Sequence, residues 1–120
     1  MTLTLLLDLD NTLLGNPMEV FLPAYLKLLS TELAGYAQPE KLIRVLLDAT
    51  RQMVENRRPD CTLQEVFEHA FYPVLGLDAA ALRAPIERFY QETFPQLEAL
   101  TERREGARAL VEAAFERGHR

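Results

Sequence analysis

Tryptophan is absent and cysteine occurs once, at Cys61. A single thiol cannot close an internal disulfide, and no pair of cysteines stands at metal-binding spacing. This fits a reducing compartment, so a cytoplasmic location is expected. Lysine is nearly missing too, with Lys27 and Lys41 alone among 13 basic residues against 18 acidic ones. The net charge of −5 leaves no basic stripe beyond the pairs Arg57-Arg58 and Arg103-Arg104. A nucleic-acid partner is not expected from that distribution. Long apolar runs are also lacking: no stretch approaches the ~18 apolar residues that span a bilayer, so no membrane partner is expected. The first apolar run has no basic residues before it and is broken at Asp8, unlike a signal peptide. Repeats, low-complexity tracts and flexible linkers are missing as well.

What is present suits a globular domain. Hydrophobic residues make up 48% and charged residues 26% of 120 positions, enough for one core. Residues 2–9 (TLTLLLDL) are short and apolar, which predicts a buried strand with Leu3, Leu5, Leu6 and Leu7 facing core on both sides. Helical signals dominate afterwards. Asn16-Pro17-Met18-Glu19 reads as a cap, a first-turn proline and an acidic residue, opening a helix that runs to about Ala34. A second helix is predicted over 39–55 and a third from the capping box Thr62-Leu63-Gln64-Glu65 to Gly76. A fourth is capped by Asp78 and runs to about Phe94, where Pro95 ends it. Ala107, Leu110, Val111, Ala114 and Phe115 repeat at helical spacing in a fifth, closed by Gly118. One apolar strand cannot cover both of its faces without neighbours. The inventory therefore reads as the opening of an α/β domain whose later strands are absent.

Asp8 and Asp10 close the apolar run. Side chains alternate along an extended chain, so the two carboxylates share a side. Ligands of open α/β sheets bind at the carboxyl ends of strands. Carboxylates placed there suit a hard cation such as Mg²⁺, and one of them can attack phosphorus while the other moves protons. Thr12 adds a hydroxyl, and Asn11 tolerates the left-handed backbone of a tight turn. The bland alternative is a solvated turn, where Asp and Asn are common. A calcium loop is the third reading, with Asp8, Asp10, Thr12 and Glu19 at ligand positions. Leu13 defeats it by standing where the tight turn needs glycine.

The stretch LLLDLDNTLLG resembles the first motif of the haloacid dehalogenase (HAD) superfamily, with Asp8, Asp10, Thr12 and Leu13 on the pattern. REGARALVEAAFERGHR is similar to the core helix that leads into that family's second strand, and the helical block between resembles its inserted cap. The resemblance implies an α/β Rossmannoid core, represented by residues 1–15 and 96–120, around an all-helical cap over 16–95. It implies a phosphatase of a small phosphorylated metabolite. Asp8 would be the nucleophile that forms an aspartyl-phosphate, and Asp10 the acid that protonates the leaving oxygen and then activates water. Thr12 would hold the loop at the substrate, and Mg²⁺ would sit on the Asp8 carboxylate and the Asp10 carbonyl. Asp10 favours phosphoryl transfer over halide displacement, which leaves no alkoxide to protonate.

The resemblance covers roughly the first half of a capped family member. The later Ser or Thr, the downstream lysine and the second acidic pair have no counterpart, since Lys27 and Lys41 fall in cap-like helices. An N-terminal fragment, inactive or nearly so alone, is expected. The alternative is a non-catalytic interaction module completed by another chain. Other candidates carry bland readings. His69 pairs with Glu65 one turn before it. Cys61 has no base near it in sequence, His119 belongs to the last helix exit, and Arg57 and Arg58 lie in a solvated loop. Phe67, Phe71, Phe89 and Tyr90 are cap core.

Overall fold

Capping chemistry sets the helix limits. The computed structural model describes residues 1–120 and contains five helices: α1 (Met18–Glu32), α2 (Pro39–Glu55), α3 (Leu63–Leu75), α4 (Ala79–Arg88) and α5 (Ala107–Glu116). The only sheet is a two-residue antiparallel pair, β1 (Leu14–Gly15) with β2 (Glu102–Arg103). The chain is thus mostly helical, and no helix is long and apolar enough to cross a membrane. At α3 the Thr62 hydroxyl accepts the Glu65 amide at 3.2 Å while the Glu65 carboxylate accepts the Thr62 amide at 2.7 Å. Gly76 ends the helix at φ 71, a left-handed conformation that costs a residue without Cβ little. Asp78 caps α4 by accepting the Ala80 amide.

The fourth helix departs from expectation. α4 stops at Arg88, and the chain continues as a π-helical turn over Phe89–Thr93 and a 3-10 stretch over Phe94–Leu100. Pro95 offers no amide and its ring crowds the carbonyl four residues back. The widened turn, in which the Phe94 amide reaches the Phe89 carbonyl, accommodates it without stopping the coil.

The chain forms two compact units, residues 25–95 and residues 1–24 with 96–120. The helical unit is built on a core of Leu29, Leu33, Leu42, Val45, Ala49, Phe71, Leu75, Leu82 and Phe89. Of the expected cap-core aromatics, Phe71 and Phe89 are buried and Phe67 stacks on Phe71, whereas Tyr90 is nearly half exposed. Its hydroxyl bonds that of Tyr25 at 3.0 Å. Burial pushes the Tyr25 phenol well above the ordinary tyrosine range, and the Tyr90 bond acts in the same direction. Arg88 pairs with Glu32 at 2.9 Å, tying α4 to the end of α1. Leu82 is fully buried, so Leu82→Ala leaves a cavity and destabilises the unit by about 2–5 kcal/mol. Denaturant unfolding followed by circular dichroism should show a lower midpoint at unchanged slope.

The α3 cap carries a pH dependence. Hydrogen bonds from the Thr62 amide and hydroxyl hold the Glu65 carboxyl below its ordinary value of 4.5. A depressed folded-state value means the cap stabilises the protein above 4.5 and is lost as pH falls below it. The Thr62 amide resonance should therefore move on acidification below that value, and Thr62→Ala should flatten the response.

The smaller unit corrects the first-strand expectation. Residues 2–9 are extended but belong to no sheet. Their only ladder-type bonds are Arg120 N–H to Leu3 O (2.9 Å) and Leu5 N–H to Arg120 O (2.6 Å), the parallel pattern around a single residue. Leu5 and Leu7 line a small cavity with Val111, Ala114 and Phe115 of α5. The other side is open: Leu6 is 94% exposed. The expected burial of both faces fails because a strand's second face is covered only by further elements. For the same reason Leu110 and Phe115, expected on the buried stripe of α5, are exposed, Phe115 by 69%.

Candidate active site

The turn after the extended segment is built on one carbonyl. Leu9 O accepts the amides of Thr12, Leu13 and Leu14 at 3.0–3.1 Å, which folds residues 10–14 back on themselves. Asn11 takes φ 54 at the corner, the only residue other than glycine with positive φ. Asparagine bears that conformation better than most residues. Leu13 and Leu14 then leave the turn to pair with β2, through Arg104 N–H to Leu13 O at 3.0 Å and the Leu14–Arg103 register.

Asn16 fastens this turn. It is 2% exposed, the most buried polar residue of the chain. Its side-chain oxygen accepts the Asn11 amide at 2.9 Å, and its side-chain nitrogen donates to Asp10 Oδ1 at 2.7 Å. Its own amide donates back to Asn11 Oδ1 at 3.3 Å. The sequence suggested a helix cap here, but the Asn16 side chain serves the turn and leaves the first turn of α1 to the Pro17 carbonyl. The signal that could have marked it is its position two residues beyond the leucine pair, where the chain must turn back under the carboxylates.

Asp8, Asp10 and Thr12 are exposed around this frame. The Thr12 hydroxyl donates to Asp8 Oδ2 at 2.7 Å, leaving Oδ1 without a protein partner. Asp10 Oδ1 is held by Asn16, leaving Oδ2 unengaged. Leu5, Leu7 and Leu9 line the cavities under α5, so alternation puts Asp8 and Asp10 together on the opposite side, with Leu6. Thr12 is thus brought to Asp8 and fixes it.

No group of three or more His, Cys, Asp or Glu side chains converges as a metal cage. Mg²⁺ does not require one. It keeps several waters and binds through one or two carboxylates plus substrate phosphate oxygens. The free Oδ1 of Asp8 and the Asp10 main-chain carbonyl, which accepts no protein hydrogen bond, are oxygen donors of that kind. The residues present fit such an ion as part of its shell.

The remaining candidates gather elsewhere. Cys61, His69, Glu65 and Arg58 line one cleft of the helical unit. Arg58 pairs with Asp60 at 2.6 Å, and His69 lies close enough to Glu65 to favour its charged form. His119 accepts the Leu3 amide on Nδ1 at 3.3 Å, a tie between the helix exit and the extended segment. Cys61 and His69 belong to the helical unit, and His119 lies at the exit of α5 rather than in the Asp8–Asp10 turn. Compared with protein-family models, curated proteins and solved structures, the chain finds no match.

Proposed function

We propose that the Asp8–Asp10 turn is the nucleophile-bearing part of a haloacid dehalogenase-type phosphatase of a small phosphorylated metabolite. One observation carries the reading: two carboxylates on one side of an extended segment, each pinned by one oxygen and each with its other oxygen unengaged. A solvated turn needs no such fastening. An unengaged Asp8 Oδ1 is oriented for attack, because Thr12 fixes its twin. Asp10 is held at Oδ1 by Asn16, so Oδ2 is the atom left to carry a proton.

The chemistry balances on these two side chains. Asp8 Oδ1 forms a bond to phosphorus as the bond from phosphorus to the leaving oxygen breaks. Asp10 gives its proton to that oxygen. Water then attacks phosphorus, Asp10 takes the water's proton, and Asp8 leaves as carboxylate. Bound Mg²⁺ would offset repulsion between Asp8 and the phosphoryl group and spread the developing charge.

The test is covalent labelling. The protein is incubated with Mg²⁺ and the small donor acetyl phosphate, and its acyl-phosphate content is read by hydroxylamine lability and peptide mass spectrometry. The later Ser or Thr, the lysine and the second acidic pair have no counterpart in these residues, so slow, stoichiometric label is expected. Label at Asp8 that requires Mg²⁺ supports the reading, and label that is absent or spreads over other carboxylates overturns it. A second reading, an interaction module completed by another chain, is favoured by the exposed Leu6 and Phe115. It becomes the better one if Asp8 stays unlabelled.

A further inference from the structure

Beside the turn lies an open cavity of about 600 Å³. Asn11, Gly15 and Pro17 form one wall, and residues 99–105 form the other. Asn11 belongs to both the turn and the cavity, so what occupies this space touches the residue that shapes the Asp8–Asp10 loop. We propose that the cavity receives a second anionic group of the substrate, a carboxylate or a phosphate, gripped by the Arg104 guanidinium. The assignment of that group to a substrate rests on the phosphoryl-transfer reading of Asp8.

Three observations support it. Arg104 is fixed at the turn by its backbone, since its amide bonds Leu13 O at 3.0 Å. Its side chain crosses Gly15: a Cβ built there would stand 3.8 Å from Arg104 Nε and 3.2 Å from the Glu102 carbonyl. Glycine at this place keeps the strand pair close, since a Cβ would press on the Glu102 carbonyl, and Arg104 Nε lies at contact distance above it. Finally, Arg104 is in no ion pair, a condition it shares with Arg103 of the same wall, so its N–H groups are open to a ligand. Glu102 and Glu105 stand within the same wall and do not pair with it. A planar guanidinium with free N–H groups matches the two oxygens of a carboxylate or phosphate, which a lysine cannot do. Glu102 and Glu105 balance Arg103 and Arg104, so the lining is formally neutral and only direct pairing with the guanidinium favours an anion. That makes the cavity a site for one well-aligned anionic group rather than for a polyanion.

The test uses the whole chain and two probes, acetate and inorganic phosphate, followed by the amide resonances of Gly15 and Asn11. Saturable shifts at both positions are expected. Arg104→Gln should weaken the probe at least tenfold, Arg104→Lys should weaken it less, and Arg44→Gln, an exposed arginine on α2, should not change it. The stronger of the two probes identifies the group. Shifts that survive Arg104→Gln, or that fall equally in Arg44→Gln, overturn the proposal, as does the absence of saturable shifts with either probe. Failure of the labelling experiment at Asp8 is separable from these results. It would remove the substrate assignment and leave the anion site standing on the titration.

Discussion

Asp8→Asn should abolish the slow labelling by acetyl phosphate, bringing it to background, because no second side chain takes over the attack on phosphorus. The substitution keeps the shape of the side chain and an oxygen able to accept the Thr12 hydroxyl. It removes the negative oxygen that attacks phosphorus. The structural consequence should be small, because Asp8 is exposed and its side chain bonds only Thr12. Circular dichroism and thermal midpoint of the variant should match the parent, so that the lost label reports chemistry. Asp10→Asn gives the complementary signature. Label should form nearly as in the parent, because acetate leaves without protonation, and then persist, since activation of water is lost and hydrolysis is slower by roughly 10²–10⁴-fold.

Asn16→Ala is the second large effect, and it acts through geometry. The variant removes the acceptor of the Asn11 amide and the donor to Asp10 together. The partners left behind belong to the exposed residues Asn11 and Asp10, so the cost is that of the lost hydrogen bonds, about 0.5–1.5 kcal/mol each. Asn11 is held at positive φ by this contact, so the turn should relax away from its corner. A misplaced catalytic group costs about 10²-fold for a shift near 1 Å. Labelling at Asp8 should fall by about that factor in Asn16→Ala. Asn16→Asp should be no better, because its carboxylate would face Asp10 where an amide donor stood. Exchange of the Asn11 amide with solvent, measured in both variants, separates a loosened turn from a lost reactant.

The helical unit was legible because its signals are local. Thr62 with Glu65, Asp78, and Gly76 each act within a few residues, and α3 and the start of α4 formed where they pointed. The carboxylates of the site were legible for the same reason, since their spacing alone puts them on one side of an extended chain. Asn16 was misread because capping a helix and fastening a turn draw on the same short amide. Only burial distinguishes the two uses. β2 was invisible: Glu102 and Arg103 are charged and exposed, so no apolar alternation announces a strand. The extended segment at residues 2–9 was misjudged in the opposite direction. Its apolar run resembles a buried strand, yet burial belongs to whatever packs against it and not to the run itself.

The pairing of β1 with β2 has a consequence for the order of folding. Leu14 and Arg103 are register partners from opposite ends of the sequence, with the whole helical unit between them. Closing a flexible loop of that length costs on the order of 4 kcal/mol beyond a constant, and two residue pairs return little against it. The helices between are made of local contacts, which form fast. Their collapse shortens the free chain that β1 and β2 must bridge. The short ladder is therefore a late event, and the Leu13–Arg104 bond at the carboxylate turn arrives with it. A lesion deep in the helical unit, at Leu82 for instance, should slow the appearance of a competent turn that it never touches.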